Sequence, residues 1–210
     1  MKSFVFDGLE KLNKKDMSHA VSIITNAFSE DPCLKYLLNS EEYDHDKAKF
    51  IHEYTLKIGF FYGSVQTASS ANEGVSIWMP PKRVTTSPLM FIRAGGLSLR
   101  KNVDLKVIDR IQVYGDYCGS LHQKYVKEPH WYLESIAVDP KEQGKGFAGK
   151  LLRPALDYFD KYGFPCYLET HNPKNVTFYE KYGFNVMEIG KLPGTNKPHW
   201  AMLRQAQVIK

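Results

Sequence analysis

A strand, a glycine-rich loop and an amphipathic helix follow one another without a break after Tyr132, and this order constrains the fold more than any other segment. Tyr132–Val138 (YLESIAV) carries strand-forming residues and meets an Asp139-Pro140 turn. A short polar link leads to Gln143-Gly144-Lys145-Gly146-Phe147-Ala148-Gly149. Ala148, Leu151, Leu152, Ala155, Leu156 and Phe159 then recur with the spacing of one helix face. Such a junction makes an anion site. The first N–H groups of a helix have no internal partner, and the helix dipole adds partial positive charge there. Glycines let the main chain approach a phosphate closely, and Lys145 and Lys150 add full charge beside it.

Three phosphate-loop patterns compete for this segment. The pattern G-x-x-x-x-G-K-[ST] fails, because Gly146 follows Lys145. The dinucleotide pattern G-x-G-x-x-G fits literally as Gly144, Gly146 and Gly149, with Glu169 further on. That pattern wants the strand to run almost straight into the first glycine, whereas Asp139 to Gln143 intervene here. About sixty residues remain downstream, too few for the rest of a doubly wound sheet. The third pattern, Q-x-x-G-x-A, is met by Gln143, Gly146 and Ala148 after a strand ending in Ile136-Ala137-Val138. Downstream, Cys166–Thr170 reads as a short buried strand, Asn172-Pro173 as a turn, and Asn175–Lys181 as a short helix closed by Gly183. This second segment has the form N-x-x-[FY]-Y-x-x-x-G-F, carried by Asn175, Phe178, Tyr179, Gly183 and Phe184.

The two motifs, in this order, resemble the acetyl-CoA-binding core of the GNAT superfamily of N-acetyltransferases. From Lys127 to Arg204 the chain resembles the puromycin N-acetyltransferase-like branch. The resemblance implies a central mixed β-sheet flanked by helices, in which two adjacent parallel strands splay apart to admit acetyl-CoA. Those strands would be Tyr132–Val138 and Cys166–Thr170. It also implies roles. Ile136, Ala137 and Val138 would bind the thioester and pantetheine arm. The N–H groups of Gln143, Gly144, Lys145, Gly146, Phe147, Ala148, Gly149 and Lys150 would hold the pyrophosphate. Asn175 would bind the pantetheine arm, and Tyr179 would act as general acid toward the departing thiolate. A phenol near pKa 10 is protonated at neutral pH and ready to donate. For the base, Glu134 shares strand parity with Ile136 and Val138 in a regular strand. Glu169 on the neighbouring strand is the alternative, and a water chain is a third route.

Composition narrows the classes further. The chain has 210 residues, which suits one α/β domain: residues 1–126 would form the acceptor side and 127–210 the cofactor core. Its net charge of +5 comes without a basic run interleaved with aromatics, so no nucleic-acid partner is expected. No apolar run is long enough for a membrane span, and MKSFVFDGLEKLNKKD lacks the core of a secretory leader. Three widely spaced cysteines read as reduced thiols, hence a cytoplasmic location. The seven histidines show no ligand spacing, so no metal is expected.

The remaining chain carries less signal. Asp16–Leu38 reads as a helix broken near Asp31-Pro32, with Asp16 as N-cap, and Tyr43–Tyr62 as a second helix. Ser64–Ser69 and Gly74–Met79 form a hairpin pattern, and Ser87–Val126 reads as two helices parted near Asn102. A closing strand spans His199–Arg204, with His130 and His199 expected at the surface. The acceptor is expected to be a small, partly aromatic primary amine, with a protein or peptide amine, or a non-catalytic acyl-CoA sensor, as alternatives. Phe28, Tyr36 and Trp78 are candidate acceptor walls, and His171, directly after the cofactor-lining strand, is a candidate contact.

Overall fold

Strand β4 (Trp131–Val138) is the central strand of the sheet and shares its parallel edge with β5 (Cys166–Thr170). The computed structural model describes residues 4–40, 42–81 and 87–207. Its seven strands run in the order β1-β2-β3-β4-β5-β7-β6, with β1 at Glu10–Lys11, β2 at Ser64–Thr67, β3 at Gly74–Met79, β6 at Asn185–Lys191 and β7 at Pro198–Arg204. Every pairing is antiparallel except β4–β5. That pair is brief. Only Trp131↔Cys166 and Tyr132↔Tyr167 face each other, while both strands continue beyond them. The two strands therefore open into a V toward their C-terminal ends, as the family resemblance implies.

A β-bulge sits where the V begins. Ile77 of β3 faces Ser135, and its neighbour Trp78 faces Leu133, so Glu134 is left without a partner. A bulge bends its strand and re-aims side chains. Trp131 and Leu133 pack in the same cluster as Ile136 and Val138, against Leu151, Leu152 and Phe159. A regular strand would have placed these two pairs on opposite faces. The expectation that Glu134 shares a face with Ile136 and Val138 is thus corrected: Glu134 lies with Tyr132 on the other side of the sheet.

Helix α7 (Phe147–Tyr162) covers one face, packing on β3 and β4. Leu151, Leu152, Ala155, Leu156 and Phe159 are buried, as its periodicity predicts, and Gly163 in the left-handed region (φ 73°) ends it. Helices α1 (Met17–Ala27), α3 (His45–Tyr62) and α6 (Leu105–Tyr125) cover the other face. Helix α2 (Pro32–Leu38) follows α1 through a break set by Asp31, whose carboxylate accepts from the N–H groups of Cys33 and Leu34. Asp16 precedes α1 as expected but makes no side-chain cap; it ends a single 3₁₀ turn instead. The region expected to hold two helices holds three, α4 (Pro88–Arg93), α5 (Gly96–Asn102) and α6, because Gly95 at φ 89° breaks the chain a second time. Helix α8 (Pro173–Glu180) starts two residues before its expected boundary, capped by Asn172. Among the described residues no helix is long and apolar enough to cross a membrane.

Two placements overturn expectations. His199 is fully buried rather than at the surface, because β7 lies between β5 and β6 and beneath the Tyr117 ring. Trp78 is also fully buried, edge-on to Phe6 and Phe159 in the α7 cluster, so it cannot wall an acceptor pocket.

Candidate active site

The V opens into a cleft of about 910 Å³ lined by β4, the glycine loop, the start of α7 and α8. Gly144 (φ 80°) and Gly146 (φ 87°) both sit in the left-handed region, where a side chain would strain the backbone. That turn delivers the chain into α7, whose first N–H groups, on Phe147, Ala148 and Gly149, precede any intrahelical bond. Gln143 anchors the loop by donating from Nε2 to the Val138 carbonyl at 3.2 Å. At Gly149 the contact is different: a Cβ there would lie 2.5 Å from the Tyr182 hydroxyl, so a side chain would displace the tip of that ring. Ile136, Ala137 and Val138 line the same cleft, and beyond Tyr132 their main chain has no β5 partner.

The cleft walls carry charges of both signs, with Glu30, Asp31 and Glu142 among the lining. Lys150 lines them as expected, whereas Lys145 turns away to pair with Glu142 at 2.9 Å. Arg153 and Lys174 join the lining, and sequence reasoning did not single them out. Arg153 lies one turn beyond Lys150 on α7, and Lys174 stands in the first turn of α8, so both were within reach of a helical-spacing argument. Asn175 stands at the rim, donating to Thr170 Oγ1 at 3.3 Å. Tyr179 is 7% exposed, packs edge-on against Phe184 and lines the cleft. Burial, with a smaller push from the Cys166 thiol, holds its phenol well above the usual range, so the hydroxyl keeps its proton. The loop, the open strand edge, Asn175 and Tyr179 thus converge on one cavity.

Residues 110–184, which hold most of this cavity, match the acetyltransferase (GNAT) family. Over that stretch the chain is similar to the GNAT acetyltransferases, and the enzyme class this similarity gives is an acyltransferase. A Schizosaccharomyces pombe protein described as an uncharacterized N-acetyltransferase is 27% identical over 183 residues, covering 83% of this chain and 73% of the relative. Two solved structures share the fold over nearly the whole chain. A Corynebacterium glutamicum protein, described as histone acetyltransferase HPA2 and related acetyltransferase, has TM-score 0.66 at 18% identity, covering 98% of this chain and 99% of its own. Arylalkylamine N-acetyltransferase 2 of Aedes aegypti has TM-score 0.64 at 13% identity, covering 95% and 98%.

On the opposite face the chain has a second recess, of about 470 Å³, reached from Glu134. Its walls are mostly apolar: Ile58, Met79, Pro80, Met90, Val126 and Pro129. The Glu134 side chain is reached by solvent at the bottom of the recess, yet the surrounding protein raises its pKa to about 7. Glu169 is raised to about 7 as well, chiefly by burial and partly by the Glu134 charge, with the Tyr132 and Tyr167 hydroxyls pulling it down. Tyr132 donates to Glu169 Oε2 at 2.7 Å. His171 Nε2 lies 3.1 Å from the Tyr114 hydroxyl and 3.0 Å from His199 Nδ1; burial lowers its pKa to about 4. Of the aromatic candidates, Phe28 lines the cofactor-side cleft and faces His52. Tyr36 packs on the small cluster of Cys33, Leu37 and Leu192, away from both cavities.

Proposed function

We propose that the protein transfers the acetyl group of acetyl-CoA to the primary amine of a compact molecule with an apolar body. The GNAT fold implies acetyl-CoA as donor, and the cleft residues fit it. The α7 N-terminus with Lys150, Arg153 and Lys174 suits the phosphates, and the open β4 edge with Asn175 suits the pantetheine amides. The observation that carries the acceptor reading is the recess at Glu134. It is small, mostly apolar, and holds a carboxylate two residues along β4 from Ile136 of the cleft. Its lining departs from the aromatic-wall expectation: Tyr132 is its one Phe, Tyr or Trp among the described residues, beside Met, Pro and aliphatic side chains and a polar part made by His122, Gln123, Lys127, Glu128, His130 and Glu134. The apolar part of such walls suits apolar bulk rather than a flat ring, and a recess of this volume suits a small acceptor.

The chemistry then divides between the two faces of β4. Glu134, poised at about 7, takes a proton from the bound ammonium, directly or through water. The neutral amine attacks the thioester carbon, and main-chain N–H groups of the open β4 edge stabilise the oxyanion. A C–N bond forms as the C–S bond breaks. Tyr179 gives its proton to the thiolate, and the proton shed by the amide nitrogen restores the phenol through solvent. A cytoplasmic setting is consistent with three free cysteines. Initial rates on alkyl and arylalkyl amines, a puromycin-type aminoacyl nucleoside and lysine-rich peptides, at equal concentration, test the acceptor class. Compact apolar amines should turn over fastest; faster peptide turnover would replace this reading by a protein acetyltransferase.

A further inference from the structure

We propose that Cys118, Glu169 and His199 form a binding site for one zinc-class divalent cation. The three residues come from α6, β5 and β7, and one ligand atom from each lies within 4.8 Å of the others. A thiol, a carboxylate and an imidazole are the donor set that favours Zn²⁺. The β5–β7 register places Glu169 opposite Ala201 and Thr170 opposite Trp200, so Glu169 and His199 share the sheet face that α6 covers.

Two of the ligands are oriented and have an atom to spare. His199, fully buried, bonds His171 through Nδ1 and leaves Nε2 without a partner. Glu169 accepts from Tyr132 on Oε2; the Tyr167 hydroxyl stands near enough to favour its charge, but Oε1 is buried and makes no hydrogen bond of ordinary geometry. A hydrogen bond on the far nitrogen of an imidazole and on the second oxygen of a carboxylate is how metal ligands are usually held. Unpartnered buried polar atoms are costly, and a cation would satisfy both. Cys118 is half-buried and gives the site its way in. A neighbouring group, Asp31, Cys33 and His171, is less suited. Its Asp31 Oδ1 already caps α2, and its His171 Nε2 already meets Tyr114 and His199. The three ligands are about fifty and thirty positions apart in sequence, which is why no spacing motif announces them.

Binding replaces the thiol proton of Cys118, which leaves to solvent. The test uses the full chain, stripped with a chelator, and Zn²⁺ alone followed by calorimetry. One equivalent should bind, and Cys118→Ser and His199→Asn should each weaken binding at least ~10-fold, while Cys33→Ser should not. Co²⁺ in place of Zn²⁺ should give a thiolate-to-metal absorption band that Cys118→Ser abolishes. Cys118 sits on a helix surface away from the sheet hydrogen bonds, so its serine variant keeps the test open if His199→Asn fails to fold. Absence of saturable binding, equal affinity in parent and Cys118→Ser, or loss in Cys33→Ser alone would each overturn the assignment.

Discussion

Two substitutions at Gly146 separate backbone strain from occupation of the phosphate site. Gly146 stands at φ 87°, and a Cβ built there meets nothing within 4 Å. Gly146→Ala therefore costs only the left-handed backbone penalty, about 1–2 kcal/mol. For a chain of this size each kcal/mol lowers Tm by about 2–4 °C, so the alanine variant should melt roughly 2–8 °C lower. Gly146→Glu carries the same strain, but its carboxylate sits at the start of α7, where the helix dipole returns about 0.3–1 kcal/mol. The glutamate variant should thus be no less stable than the alanine variant when ligand-free. Binding should go the other way. A like-charge pair about 4 Å apart costs ~1 kcal/mol in bulk water and ~4 kcal/mol near a protein surface. Acetyl-CoA affinity should therefore fall at least ~10-fold in Gly146→Glu, where ~1.4 kcal/mol is tenfold, and much less in Gly146→Ala. Thermal melts with and without acetyl-CoA, plus calorimetric titration, measure both quantities. A folded Gly146→Glu protein with parental affinity, or equal losses in the two variants, would refute the charge argument and the site.

Tyr179→Phe keeps the ring against Phe184 and removes only the hydroxyl; kcat should fall about 10²-fold, with acetyl-CoA affinity nearly unchanged, by steady-state kinetics and titration. Glu134→Gln should remove the ionisation near 7 from the pH profile of kcat/KM, which reports the free enzyme. In the parent the base is formed as pH rises through about 7, so the rate climbs to that point and levels above it, and the variant should lack this limb. Asp160 pairs bidentately with Arg204 at 2.6 and 2.7 Å, and both side chains are largely buried. Asp160→Asn leaves that guanidinium unpaired and should cost about 3 kcal/mol in urea denaturation, near the value for breaking a buried pair.

The cofactor half of the molecule was legible because its signals are short-range. The periodicity of α7, the left-handed glycines of the loop and the Asn172 cap of α8 depend on residues a few positions apart. The acceptor half depends on distant pairings. The side on which Glu134 emerges is decided by a register shift against β3, more than fifty residues earlier in the chain, and no local pattern encodes it. His199 looked exposed because its polarity was weighed alone; its burial follows from β7 pairing on both edges beneath α6. Trp78 is core because the same register turns it toward Phe159. The break at Gly95-Gly96 was legible, because a Gly-Gly pair marks a turn, but the helical pattern on either side was read as continuous through it.

The central claim is that one cleft and one recess on opposite faces of β4 cooperate in acetyl transfer. Mass spectrometry of a reaction with isotopically labelled acetyl-CoA and a compact apolar amine tests it directly. The account predicts free CoA and labelled N-acetyl amine in equal amounts, with CoA release dependent on the amine. Acetyl-CoA that binds but survives unchanged with every amine, or CoA released equally without amine, would contradict it.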